Sequence, residues 1–273
     1  MFQVENIKDN DDYLFAYKIV EKQFIDNIVN KGQIYFSLLE DYRLMAQQNK
    51  CEIGDVNEAA LTSQVHEYIE IDGQYEEIHG PSAGNNIRIN ANQCAFCFYM
   101  VGLKSFNKTD TQEYMFNIPY IELKKICKDK GGIDNCAIII FDISVIHKIY
   151  DELKSRKLPY AGYKVLYDDF NYIPNNKNIN SLSYALECCF HKNNKYSYQN
   201  EFRIVAINSE KKPLNDLFIR VDKNDFQVLE LKKGFEFYSC TKVQVKKDLE
   251  KIAIVQFNSE HGLKAVTKNE IEI

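Results

Sequence analysis

The apolar residues of this chain come in short runs, and that pattern constrains the fold most. The two longest are Cys94–Val101 and Cys136–Phe141. Each is as long as one buried β-strand, far short of the roughly 20 residues that a membrane-spanning helix needs. The N-terminus, MFQVENIKDNDD, is polar and acidic, without the basic start and apolar stretch of a secretory leader. The reading is a cytoplasmic protein with no membrane partner, in a bacterial cytosol or a phage-infected host.

Strand and helix signals are mixed along the chain. Strands are expected at Tyr13–Lys18, Gln33–Ser37, Cys94–Val101, Cys136–Phe141, Tyr163–Tyr167 and Tyr196–Ile207. Asp72-Gly73 between Glu67–Ile71 and Gln74–Ile78 predicts a hairpin with a type I′ turn. Helices are expected at Glu21–Asn30, closed by Gly32, at Tyr120–Lys128 after Pro119, at Ser144–Lys154, at Leu182–Phe190 and near Val245–Lys251. Asp55 and Glu58 fit a helix capping box. Residues 38–62 and 105–116 read as mixed polar connections, and 168–180 as a loop. Strands and helices do not alternate regularly enough for a doubly wound sheet. The expected fold is therefore α+β, with a mixed, mainly antiparallel sheet and peripheral helices. Residues 1–273 form one domain in this reading: core motifs over 13–207, and 208–273 packed on them.

A net charge of −5 argues against a protein that coats nucleic acid, although a local basic groove remains compatible with it. The eight cysteines read as reduced thiols. Cys94 and Cys97 form a CxxC inside an apolar strand run, where zinc knuckles rarely sit, so no metal is expected. His66, His79, His147 and His261 are scattered. His191 precedes the most polar strand as an exposed loop residue or a cleft acid–base group.

Chemistry concentrates in Lys195–Ala206. If this segment is a strand, Gln199, Glu201 and Arg203 share one face, while Phe202, Ile204 and Ala206 share the other. Two readings follow. The polar face is solvated, with Glu201 and Arg203 a surface pair worth little. Alternatively it lines a cleft, where a rigid carboxylate can stabilise an oxocarbenium-like ribose. Lys192, Lys195, Tyr196 and Tyr198 form a basic–aromatic patch, read as a solvated loop or a contact for single-stranded nucleic acid.

The chain resembles a widespread family of uncharacterised bacterial and phage proteins through Tyr17-Lys18, Ile28–Ser37, Gly54–Glu58, Ala137–Asp142, Val165–Tyr167 and Tyr198–Val205. It more distantly resembles ADP-ribosyltransferases, including toxins that modify DNA or RNA. There, an early strand bearing His or Arg leads through a helix and a Gly to a second strand, and a later Q-x-E opens another. Here the early strand carries Tyr17 and Lys18 instead. The resemblance implies NAD as substrate, with Glu201 the catalytic carboxylate and Gln199 its acceptor-orienting neighbour. It also implies Tyr17, Lys18, Tyr35, Ser37 and Arg203 around the dinucleotide. The protein would be a toxin or a phage–host conflict protein acting on a protein or nucleic-acid target. The competing expectation is a non-catalytic defence or counter-defence protein that binds a nucleotide or a partner protein.

Overall fold

The computed structural model describes residues 13–48, 60–63, 68–71, 74–77, 85–88, 92–102, 105–108, 114–168, 182–210, 212–222, 225–231, 238–239, 252–258 and 262–267. The fold is α+β. Its centre is an eight-stranded antiparallel sheet: β1 (Tyr13–Glu21), β2 (Gln33–Leu38), β3 (Gln93–Gly102), β4 (Cys136–Phe141), β5 (Tyr160–Lys164), β6 (Phe202–Ile207), β7 (Leu214–Phe218) and β8 (Phe226–Glu230). The main path runs β5-β6-β3-β1-β4-β8, and β2 joins it on β3 while carrying β7 on its other edge. A five-stranded antiparallel sheet contains Tyr114–Ile118, Ile252–Asn258 and Gly262–Thr267. Leu166–Asp168 and His191–Asn193 run parallel to each other.

Alternation along β3 sorts the two faces. Phe96, Phe98 and Met100 join Phe202 and Ile204 of β6 in one cluster. The helix α4 (Ile143–Ser155) covers that face with Val145, Ile146, Ile149 and Leu153, at helical spacing. Each such side chain contributes about 1.5–3 kcal/mol on burial. Asp142 caps this helix, its carboxylate accepting from the Ser144 amide at 2.7 Å. Two layers share the opposite face. The helix α3 (Tyr120–Lys128) and the second sheet cover the end near Tyr17 and Val101. The helix α5 (Leu182–Glu187), continued as a 3-10 turn over Cys188–Phe190, covers Ala95 and Val205 at the other end.

The sheet is split. Along one side, β3 pairs with β6 from Gln93↔Ile207 to Phe98↔Phe202. Along the other it pairs first with β2, at Cys94 and Ala95, and then with β1, from Tyr99 onward. Phe96, Cys97 and Phe98 therefore face the gap where β1 and β2 diverge. Gly32 stands immediately before β2. It holds φ +68°, closes the helix α1 (Ile25–Val29) through its amide on the Ile28 carbonyl, and accepts from the Ile219 amide. A Cβ there would stand 2.1 Å from the Ile219 oxygen, so only glycine fits.

Several expectations shift. Residues Leu39–Gln47, read as part of a connection, form the helix α2. Pro119 caps α3 rather than occupying its first turn. The expected strand Tyr196–Ile207 is a 3-10 helix over Asn194–Gln199 followed by β6, and Asn200 is left-handed at φ 40° and ψ 50°. The hairpin strands pair as expected, Tyr68↔Glu77 to Ile71↔Gln74, while Asp72-Gly73 lies outside the described residues. The Asp55–Glu58 box, the 245–251 helix, His66, His79 and His261 also lie outside them. Among the described residues no helix is long and apolar enough to cross a membrane.

Candidate functional site

Gln199, Glu201 and Arg203 come together by a different route from strand alternation. Gln199 ends a 3-10 helix, Asn200 turns the chain, Glu201 precedes β6, and Arg203 lies within it. All three are buried, Arg203 to 1% exposure and Glu201 to 7%, which removes the solvated-face reading. Arg203 Nε donates to Glu201 Oε1 at 3.0 Å, and its Nη2 to Oε2 at 3.3 Å. Lys192 Nζ reaches Glu201 Oε2 at 3.3 Å and Gln199 Oε1 at 2.6 Å. Arg203 Nη1 also donates to the Cys189 carbonyl at 2.6 Å.

The backbone around Glu201 is pinned as well. Its N–H donates to the Tyr167 hydroxyl at 2.9 Å, and its carbonyl accepts from the Val165 amide at 2.9 Å. Cys97, cross-strand from Arg203, donates a hydrogen bond from its thiol to the Glu201 carboxylate. Burial alone would raise Glu201. The charges of Arg203 and Lys192 outweigh it and hold the carboxyl well below its usual range. The Cys97 thiol is pushed up to about 12, first by burial and then by Glu201. Glu201 is thus a fixed anion beside a protonated thiol.

This arrangement predicts a pH dependence. A carboxyl depressed in the folded state contributes stability that is complete above its ordinary 4.5 and is lost as the pH falls toward the folded value. Acid denaturation should therefore steepen below about pH 4.5, and Glu201→Gln should remove that part of the slope. Superimposable stability–pH profiles of the two proteins would rule this out.

Two hollows meet here. A recess of about 70 Å³ is lined by Cys97, Tyr99, Lys192, Gln199, Glu201 and Arg203, and also by Lys18, Tyr42 and Lys130. Alone it has room for two or three waters at ~30 Å³ each. A cleft of about 570 Å³ lies in the sheet split, lined by Lys18, Phe24, Asn27, Tyr35, Ser37, Tyr42 and Lys130 among others. That volume suits a nucleotide-sized ligand. Lys18, Ile19, Tyr42 and Lys130 line both. Lys18 Nζ donates to the Cys97 carbonyl at 2.5 Å, filling the gap left by the diverging strands, and sits 4.6 Å from the Phe96 ring centre. Burial lowers it to about 8.

The expected residues thus divide. Gln199, Glu201 and Arg203 line the recess, Tyr35 and Ser37 line the cleft, and Lys18 joins the two. Tyr17 stands apart, stacked on Tyr99 at 4.6 Å in the core beneath α3. His191, half-buried on its short strand, lines neither hollow. Cys94 and Cys97 point to opposite faces of β3, three residues apart on a strand, so they cannot share one ion. Lys192, read as a loop cation, is 3% exposed and is the second counter-charge of Glu201.

Compared with family models, with curated proteins and with solved structures, the chain matches none.

Proposed function

We propose that this protein binds an NAD-type dinucleotide in the split-sheet cleft and transfers its ADP-ribose unit to a macromolecular acceptor, as an ADP-ribosyltransferase-like toxin or phage–host conflict protein. One observation carries the reading: a buried carboxylate, Glu201, paired with Arg203 and Lys192, lies in a recess that shares Lys18 with a nucleotide-sized cleft. In the reaction the bond between ribose C1′ and the nicotinamide nitrogen breaks, and the electron pair leaves with nicotinamide. Positive charge develops on the sugar, where a fixed anion stabilises it. A nucleophile of the acceptor then bonds to C1′ and releases its proton to solvent. Glu201, held ionised by two cations, is suited to electrostatic stabilisation and poorly suited to taking that proton. Gln199 orients the acceptor, its own carbonyl fixed by Lys192.

A second reading is favoured by the same ion pairs. Both Glu201 oxygens already engage cations, as a structural counter-ion would, so the cleft can serve a non-catalytic protein that captures a nucleotide or blocks a partner. The deciding experiment incubates the protein with NAD and a mixture of proteins and nucleic acids. Nicotinamide release and label transfer are read alongside NAD binding by calorimetry. Release with label transfer is expected. Binding without release selects the second reading, and absence of both removes the first.

A further inference from the structure

Cations gather at the junction of the two hollows although the chain is acidic overall. The residues lining them include four cations, Lys18, Lys130, Lys192 and Arg203, against two carboxylates, Glu21 and Glu201. Lys192 and Arg203 are matched to Glu201, and the Glu21 carboxylate accepts from Gln23. Neither Lys18 nor Lys130 has a carboxylate within ion-pair distance among the described residues. By contrast Lys22, Lys31, Lys148 and Lys212 each do. Other lysines without an acidic neighbour, such as Lys157 and Lys164, are exposed, where water screens them. Lys18 and Lys130 are both partly withdrawn from solvent, and they repel each other.

Lys18 and Lys130 both line the two hollows, and like charges lining one opening disfavour each other unless an anion lies between them. Tyr42, shared by both hollows, donates its hydroxyl to Ser37 Oγ at 3.1 Å, which adds a hydroxyl pair to the wall of the cleft. The carbonyl of Cys127, at the end of α3, is already capped by the Lys130 and Gly132 amides, so the helix end adds little bare negative charge here.

We infer that Lys18 and Lys130 form an anion subsite at the junction, built for the diphosphate of a nucleotide lying in the cleft. The subsite rests on the dinucleotide reading only for the identity of its natural ligand; the cation pair itself does not depend on catalysis. Its consequence is orientation. A diphosphate held at the junction directs one sugar toward Glu201 and the other along the Tyr35 and Ser37 wall.

The test titrates inorganic pyrophosphate, and inorganic phosphate beside it, into the purified full chain by calorimetry at low and high salt. Pyrophosphate should bind more tightly than phosphate and weaken with salt. Lys130→Ala should lose about tenfold or more in affinity. Lys18→Met should do the same, and Lys157→Ala should match the wild type. Thermal unfolding of each variant guards against misfolding, and Lys130→Arg should restore binding. Pyrophosphate affinity that is absent in the wild type, or equal in wild type and Lys130→Ala, overturns the subsite. Pyrophosphate binding by a protein that never cleaves NAD leaves the subsite standing and removes only the enzymatic reading. NAD cleavage with an unchanged KM in Lys130→Ala does the reverse.

Discussion

Replacing Arg203 by methionine should cost the folded state about 3–5 kcal/mol, the largest stability effect expected from any single polar residue in the described core. The guanidinium is 1% exposed, grips both Glu201 oxygens and holds the Cys189 carbonyl. Methionine fills much of the volume but leaves Glu201 with one counter-charge and the Cys189 carbonyl without this donor. Lysine, a point charge, cannot span both partners and should recover only part of the loss. Urea denaturation is the measurement, with a lowered midpoint at unchanged slope. The double variant Glu201→Gln/Arg203→Met should cost less than the sum of its singles, because the second change removes the charge that the first strands. A cost under about 1 kcal/mol would be that of an exposed pair and would contradict the burial.

Glu201→Gln carries the second large effect. If Glu201 stabilises the developing sugar cation, nicotinamide release should fall on the order of 100-fold or more, while NAD affinity changes little. Glutamine keeps the shape and can still accept from Arg203, so the variant tests charge rather than packing. It also leaves Lys192 and Arg203 without their anion, and some stability will be lost. Turnover must therefore be compared at a temperature where both proteins are folded, with NAD binding as the control for an intact cleft. Equal release rates in variant and wild type would assign Glu201 to structure alone.

How much of this was legible in advance varies by element. The strands at Cys94–Val101 and Cys136–Phe141 and the helix closed by Gly32 follow from local pattern, because apolar runs and a left-handed glycine state their own requirement. The helix α2 has no capping signal in the sequence, because Leu38 leads straight into it without a side-chain cap. Its one local signal is Glu40 and Asp41 in the first turn, where acidic residues favour a helix start. The candidate site was half legible. Gln199, Glu201 and Arg203 stand out as a polar cluster, but strand alternation does not say whether their face meets water or protein. Lys130 and Tyr42 carry no signal, and Tyr167 reads only as part of a strand and a family motif, since nothing near them in the chain refers to the recess.

From the sequence alone came the α+β class, the main core strands and the acidic residue most worth watching. Tertiary structure alone decided that Glu201 is walled in by Lys192 and Arg203, and that β1 and β2 part to open a cleft beside it. The reason is physical. Strand and helix formation depend on neighbours within a few residues, whereas burial, ion pairing and the meeting of hollows depend on segments as distant as Lys18, Cys97 and Glu201 being brought to one point.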